Sequence, residues 1–242
     1  MLTNNDVKLI NSLGKKKFRQ KYNKFVVEGP KIIEEVLNSN YKVLKIFATE
    51  AVFESSGAVN ELISENELKK ISQLVHPNTA LALCEIPDDH LISTDDFIIA
   101  LDDVRDPGNL GTIIRMADWF GIRQIVCSAE TVDMYNPKVI QASMASFLRV
   151  NVNYTDLKNF LKDYPHPVLG TYMDGENIYK IDFPAQGLML LGNEANGIND
   201  GLKPFIDKKI TIPRYGSVQE TESLNVAMAM SIILGERASR FF

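Results

Sequence analysis

The sequence predicts an α/β fold: a parallel sheet in the C-terminal part, preceded by a smaller α/β domain. Three observations lead there. From residue 97 onward, near-continuous apolar runs alternate with helix-like segments, the pattern of strands covered on both faces. Three of those runs, at 97–101, 188–191 and 209–212, each lead into a stretch of purposeful polar residues and glycine. A polar, proline-bearing link, Pro87-Asp88-Asp89-His90, stands between this part and an earlier strand-and-helix set.

Taken in order, residues 5–19 read as one helix and Phe25-Val26-Val27 as a short strand. Pro30 stands near a first helical position, ahead of Ile32, Ile33, Val36 and Leu37. A second strand covers 43–47. Ser64 followed by Glu67 has capping-box spacing and opens a helix to about residue 73. A third strand at 81–86 closes a small domain, 1–88. The second part, 95–242, carries strands at 97–101, 124–127, 150–154, 168–172, 188–191 and 209–212. Its helices fall at 109–120, 137–147 and 156–162, with a short one after Gly197 and a final one at 225–239.

With 242 residues, 45% of them apolar, the chain can fill sizeable cores. Cys84 and Cys127 both lie inside apolar runs, as buried free thiols of a reducing compartment do. No signal-peptide pattern opens the chain, and no apolar run approaches the ~18 residues of a membrane span. A soluble, cytoplasmic protein is expected. The net charge of −5 argues weakly against a nucleic-acid partner. Its distribution argues the other way. Lys15, Lys16, Lys17, Arg19, Lys21 and Lys24 fall in a stretch without acids, with Phe18 and Tyr22 among them. Such a run is either a solvated helix face or an RNA-binding patch that pairs phosphate attraction with base stacking.

Several chemistries are excluded. None of the fourteen glycines stand two apart, so there is no dinucleotide-type glycine loop. The sequence has no P-loop and no G-x-S-x-G elbow. His76, His90 and His166 are scattered, with no cysteine at ligand spacing, so no metal is expected.

The chemistry is therefore sought at the three junctions, because ligands of open parallel sheets bind outside the carboxyl ends of the strands. The first runs through Asp102, Asp103 and Arg105 to Pro107-Gly108-Asn109 and a helix carrying Arg115. Asn109 reads as an N-cap or as a site residue. Arg115 interrupts Ile113, Ile114, Met116 and Ala117, and a partly buried arginine needs an anion, such as Glu194 or a phosphate. Glu194, Ser223 and Asn225 are also ordinary types for helix starts.

Together, Pro107 through Arg115, Leu190 through Gly197, and Ile212-Pro213 through Ser223-Leu224-Asn225-Val226-Ala227 resemble the three ordered motifs of the SpoU (TrmH-like) RNA methyltransferases of the SPOUT superfamily. Residues 1–88 are similar, more softly, to the RNA-binding domain that often precedes them, through Lys16-Lys17-Phe18-Arg19 and Val26 to Lys31. The resemblance implies a trefoil-knotted C-terminal domain, a homodimer, and transfer of a methyl group from S-adenosylmethionine (SAM) to a ribose 2′-hydroxyl of structured RNA, ribosomal more than transfer RNA. It implies cofactor binding at Gly192, Ile212 and Leu224, and catalysis by Arg115, oriented with the ribose by Asn109, Glu194, Ser223 and Asn225. Two roles stay open for Arg115: base, or electrostatic clamp on a phosphate and the developing alkoxide. One departure is Gln219-Glu220-Thr221-Glu222, a longer and more acidic link than the family's, with Glu220 and Glu222 beside the expected RNA site. The alternatives are a knotted methyltransferase acting on a base, and a non-catalytic RNA-binding or assembly factor of the same fold.

Overall fold

The structure, a computed structural model, describes residues 2–53, 57–88, 91–216 and 223–241. In chain order its elements are α1 (Asn4–Ser12), α2 (Lys16–Tyr22), β1 (Lys24–Glu28), α3 (Pro30–Leu37), β2 (Val43–Ala48), β3 (Asn60–Leu62), α4 (Glu65–Ile71), β4 (Ala80–Glu85) and β5 (Phe97–Leu101). They continue with α5 (Pro107–Trp119), β6 (Gln124–Cys127), α6 (Pro137–Ser143), β7 (Asn151–Tyr154), α7 (Leu157–Lys162), β8 (Val168–Asn177), β9 (Gly187–Leu191), β10 (Lys208–Thr211) and α8 (Val226–Phe241). The chain divides into two compact units, Met1–Asp89 with Asp133–Leu148, and His90–Val132 with Arg149–Phe242.

The first unit holds a four-stranded sheet in the order β1-β4-β2-β3. Ile10, Leu13, Val26, Phe47, Ile71 and Leu81 fill one of its cores. The single helix expected at 5–19 is two helices. Gly14 stands at the break, where glycine is the costliest helix-interior residue after proline, and fully buried Leu13 anchors the turn. The Ser64–Glu67 capping box forms as expected. Ser64 Oγ accepts the Glu67 N–H at 3.2 Å, and Glu67 Oε2 accepts the Ser64 N–H at 2.8 Å. Strand β3 was not expected, because Asn60-Glu61-Leu62 is too short to show an alternating pattern.

The stretch Asp133–Leu148, far along the chain, belongs to this unit. Phe25 packs against Tyr135 with ring centroids 4.7 Å apart and edge-on against Phe147 at 6.1 Å. Gln141 Nε2 donates to the Glu28 carbonyl at 2.9 Å. The helix expected to reach residue 147 stops at Ser143. Met144 and Ala145 both take positive φ, and this turn brings Phe147 into the aromatic cluster.

Arg19 also changes standing here. The sequence places it in one run with the surface lysines, yet it is 2% exposed. Its Nε and Nη2 reach Asp133 Oδ2 at 2.7 and 2.5 Å, and Nη1 donates to the Leu13 carbonyl at 2.7 Å. A guanidinium so engaged is a structural tie and is not available to a phosphate. Arg19→Leu is expected to lower unfolding stability by about 2 kcal/mol, because it strips charged hydrogen bonds from a largely covered carboxylate and a carbonyl. A denaturation midpoint equal to the wild type's would refute this.

The second unit is built on the expected parallel sheet, with strand order β10-β8-β9-β5-β6-β7 and every pairing parallel. Its central strands β5, β6 and β9 are buried along their whole length, which is why they read as unbroken apolar runs. Parallel pairing places the carboxyl ends of β5, β9 and β10 along one edge. The strand expected at 168–172 extends to Asn177. Its register against β10 jumps from Lys209↔Gly170 to Ile210↔Glu176, leaving residues 171–175 as a bulge. Among the described residues no helix is long and apolar enough to cross a membrane.

Candidate functional site

Asp106 caps α5, accepting the Asn109 N–H on Oδ1 at 2.8 Å. The cap reading of Asn109 is thereby corrected: Asn109 lies inside the first turn of α5, and its side chain is free for other work. Its Nδ2 donates to Glu194 Oε1 at 2.5 Å. Its Oδ1 accepts from Asn225 Nδ2 at 2.9 Å. Asn225 Oδ1 in turn accepts the N–H groups of Ala227 and Met228 at 3.0 and 3.2 Å, capping α8. Glu194, Asn109 and Asn225 thus form one relay across the three junctions.

Arg115 lies on the exposed side of α5. It has no hydrogen-bond or ion-pair partner among the described residues, so of the two anions expected for it, Glu194 or a phosphate, Glu194 is bonded to Asn109 instead. Ser223 and Leu224 are exposed just ahead of α8. Residues 219–222, including Glu220 and Glu222, lie outside the described residues.

Beside the relay, a cavity of about 830 Å³ is lined by Gly192, Glu194, Ile212, Ser223 and Leu224 among others. This is within the size of small-molecule sites. Apolar walls from Leu191, Ile198 and Ile233 give it the surface an adenosine-type ligand buries. Gly192 is required by space: a Cβ there would lie 2.2 Å from the Gly197 carbonyl carbon and 2.3 Å from the Ile198 nitrogen. Backbone therefore approaches backbone where a side chain would fill the gap. Gly192, Ile212 and Leu224, expected to hold the cofactor, all line this cavity. No group of histidines, cysteines and carboxylates able to hold a metal occurs among the described residues.

Sequence reasoning noted Asp102 without giving it a role, and gave none to Asn193. Asp102 is 7% exposed, and its Oδ2 accepts the Asn199 N–H at 2.7 Å. Burial pushes its carboxyl above the ordinary range, partly offset by that N–H. Asn193 Nδ2 donates to the Asp103 carbonyl at 2.8 Å. The only sequence signal for Asp102 was a carboxylate directly after a buried strand.

In the first unit, Lys15, Lys16, Lys17 and Lys21 are exposed on or beside α2, and Lys24 is half-buried at the start of β1. Phe18 and Tyr22 stack at 6.2 Å with 12° between their planes. Lys17 Nζ lies 4.9 Å from the Phe18 ring centre and Lys21 Nζ 5.3 Å from that of Tyr22.

Comparison with known proteins gives these features a context. A model of the MRM3-like substrate binding domain matches residues 4–82. The chain is 31% identical over 239 residues to the 23S rRNA (guanosine(2553)-2′-O)-methyltransferase RlmP of Bacillus subtilis, covering 96% of this chain and 95% of that protein. It is 28% identical to a 23S rRNA (uridine(2479)-2′-O)-methyltransferase of Streptomyces viridochromogenes, over 81% of this chain and 69% of that one. Its fold matches a Porphyromonas gingivalis protein ascribed to the TrmH family of RNA methyltransferases, with TM-score 0.92, 33% identity and 99% of each chain covered. It also matches an AdoMet-bound rRNA methyltransferase of Sinorhizobium meliloti, with TM-score 0.87, 27% identity, and 100% and 97% covered. A model of the SpoU rRNA Methylase family matches residues 96–235, so three ordered junctions, the cavity beside them and a shared fold lead to one statement: the chain belongs to the SpoU rRNA methylase family.

Proposed function

We propose that this protein transfers a methyl group from SAM to a ribose 2′-hydroxyl of ribosomal RNA. The observation that carries the reading is the Glu194–Asn109–Asn225 relay, which joins the three motif junctions beside the cavity. Bound SAM supplies an electrophilic methyl group on a sulfonium. The chain's own residues do the rest. Gly192, Ile212 and Leu224 offer main-chain groups to the cofactor. Asn109, Glu194, Ser223 and Asn225 orient the ribose and Arg115. A 2′-hydroxyl is a weak nucleophile: its proton passes to solvent, or to a deprotonated Arg115 in the base role, and negative charge grows on its oxygen as the proton leaves. A guanidinium normally stays charged, so Arg115 works as a clamp on that charge and on a neighbouring phosphate, with base catalysis as the competing role.

In this reading residues 1–88 bind the RNA substrate and 95–242 form a trefoil-knotted catalytic domain that contributes Asp133–Leu148 to the first unit. The enzyme acts in the cytoplasm as a homodimer, without a metal. Trp119, 79% exposed on α5, and Met228, 58% exposed on α8, support the dimer as apolar surface that a partner copy would cover. The lysines around α2 contact phosphates. Replacing Lys16, Lys17 and Lys21 together by alanine is expected to weaken RNA binding and to cut the slope of log K against log [salt] by about 2. An unchanged slope would remove α2 from the RNA interface.

The deciding experiment is nucleoside mass spectrometry of ribosomal and transfer RNA from cells with and without the gene. Loss of one 2′-O-methylated nucleoside from ribosomal RNA is expected. Loss of a base-methylated nucleoside would replace ribose by base as the target, and no change in either pool would favour a non-catalytic RNA-binding role.

A further inference from the structure

The loop that carries Glu194 runs from 192 to 199, and residues 194–197 are all exposed. Packing does not hold them. Polar bonds do. At the start of the loop, Asn193 exchanges backbone hydrogen bonds with Gly197 at 3.1 and 2.8 Å. The Asn193 side chain folds back as well, its Oδ1 accepting the N–H groups of Ala195 and Asn196 at 2.9 and 3.2 Å. These bonds close the loop on itself but do not fix it to the sheet.

Ile198, 4% exposed, packs into the sheet's core, and two further bonds hold the flanks of the loop, both ending on consecutive residues at the carboxyl end of β5. Asn193 Nδ2 donates to the Asp103 carbonyl, and Asp102 Oδ2 accepts the Asn199 N–H. One end of the loop is thus tied to each aspartate. The tie points are themselves held. The Asp102 N–H donates to the Leu191 carbonyl at 2.9 Å, and the Asp103 N–H donates to Ser128 Oγ at 3.0 Å. Asp103 also takes a left-handed backbone, φ 58°, a costly conformation for a residue with a side chain. That conformation turns the chain between the two tie points.

We propose that Asp102 is a positioning residue for the cofactor loop, forming with the Asp103 carbonyl a two-point latch. The latch keeps Gly192 aligned on the cavity and Glu194 within reach of Asn109. Asp102 acts through the loop and touches neither cofactor nor RNA. The inference rests on the cavity being the SAM site, as proposed above.

The test compares full-length wild type with Asp102→Ala, Asp102→Asn and Asn193→Ala. Asp102→Ala is expected to bind SAM on the order of tenfold more weakly in calorimetry, the effect of one lost charged hydrogen bond. Its KM for SAM should rise while its KM for RNA stays put, a split that general loosening of the fold would not produce. Amides 194–199 should exchange with deuterium faster, with the sheet still protected. Asp102→Asn keeps an oxygen acceptor at the same reach, and should recover SAM affinity to within about threefold of wild type. Wild-type SAM affinity and wild-type exchange at Asn199 in Asp102→Ala would overturn the latch. Should Asp102→Ala fail to fold, Asn193→Ala decides, since it releases the other end with the buried carboxylate in place; unchanged SAM affinity and loop exchange there would equally overturn it. If wild type binds no SAM, the proposed function fails, while the exchange comparison still decides the latch.

Discussion

Arg115→Ala is expected to lower methyl transfer by a factor of about 10²–10³ or more, the usual loss when one preorganised stabiliser of transition-state charge is removed. SAM affinity should stay within about threefold of wild type. The two halves of this expectation have separate grounds. Arg115 is exposed on α5, has no partner among the described residues, and is not among the residues that line the cavity. Removing it takes nothing from the fold or the cofactor, and alanine is the better helix former, so stability should move by no more than about 0.5 kcal/mol. The loss would therefore be one of chemistry. Single-turnover transfer of labelled methyl, run beside calorimetric SAM binding, measures both. Transfer within tenfold of wild type would mean that another group activates the hydroxyl. Arg115→Lys adds a second reading. Lysine keeps the charge and loses the planar fork, so a loss as large as alanine's would show that Arg115 supplies bidentate geometry beyond charge alone.

Gly192→Ala is expected to abolish SAM binding and to destabilise the second unit by at least about 3 kcal/mol, the upper range for overpacking. The added Cβ would meet the Gly197 carbonyl carbon at 2.2 Å, the Ile198 nitrogen at 2.3 Å and the Gly197 oxygen at 2.4 Å. These are backbone atoms and cannot rotate away as a side chain would. The Asn193–Gly197 bridge, bonded in both directions, resists the shift that would make room. The natural control is Gly197→Ala, five residues on. Gly197 has φ +67° with nothing within 4 Å of its missing Cβ, so its cost is conformational alone, about 1 kcal/mol. Thermal unfolding and SAM calorimetry on the two variants should rank them clearly. A Gly192→Ala protein with native stability and SAM affinity would show that the loop is far more pliant than its bonding implies.

Much of this protein was legible in its sequence, for a physical reason that also marks the boundary. Strands buried on both faces must be apolar throughout, so β5, β6 and β9 and the parallel sheet could be read directly. A capping box is a bond between residues three apart, so Ser64 and Glu67 declared themselves. The three junctions were visible as polar and glycine residues closing apolar runs, and their order gave the family. Partnership was not visible. Asparagine caps a helix or relays a hydrogen bond with the same atoms. Asp106 took the cap, and Asn109 was left to partners 85 and 116 positions away. Arg19 stood among lysines of the same charge, and only Asp133, with the Leu13 carbonyl, drew it inside. Residues 133–148 follow the strand-and-helix alternation of the second part, but their aromatic rings complete the core of the first unit. Periodicity and local spacing are properties of the chain and survive in the sequence. Which distant groups meet, and so which polar side chain is cap, tie or reagent, is settled by the free energy of packing the whole, and only the tertiary structure decided it.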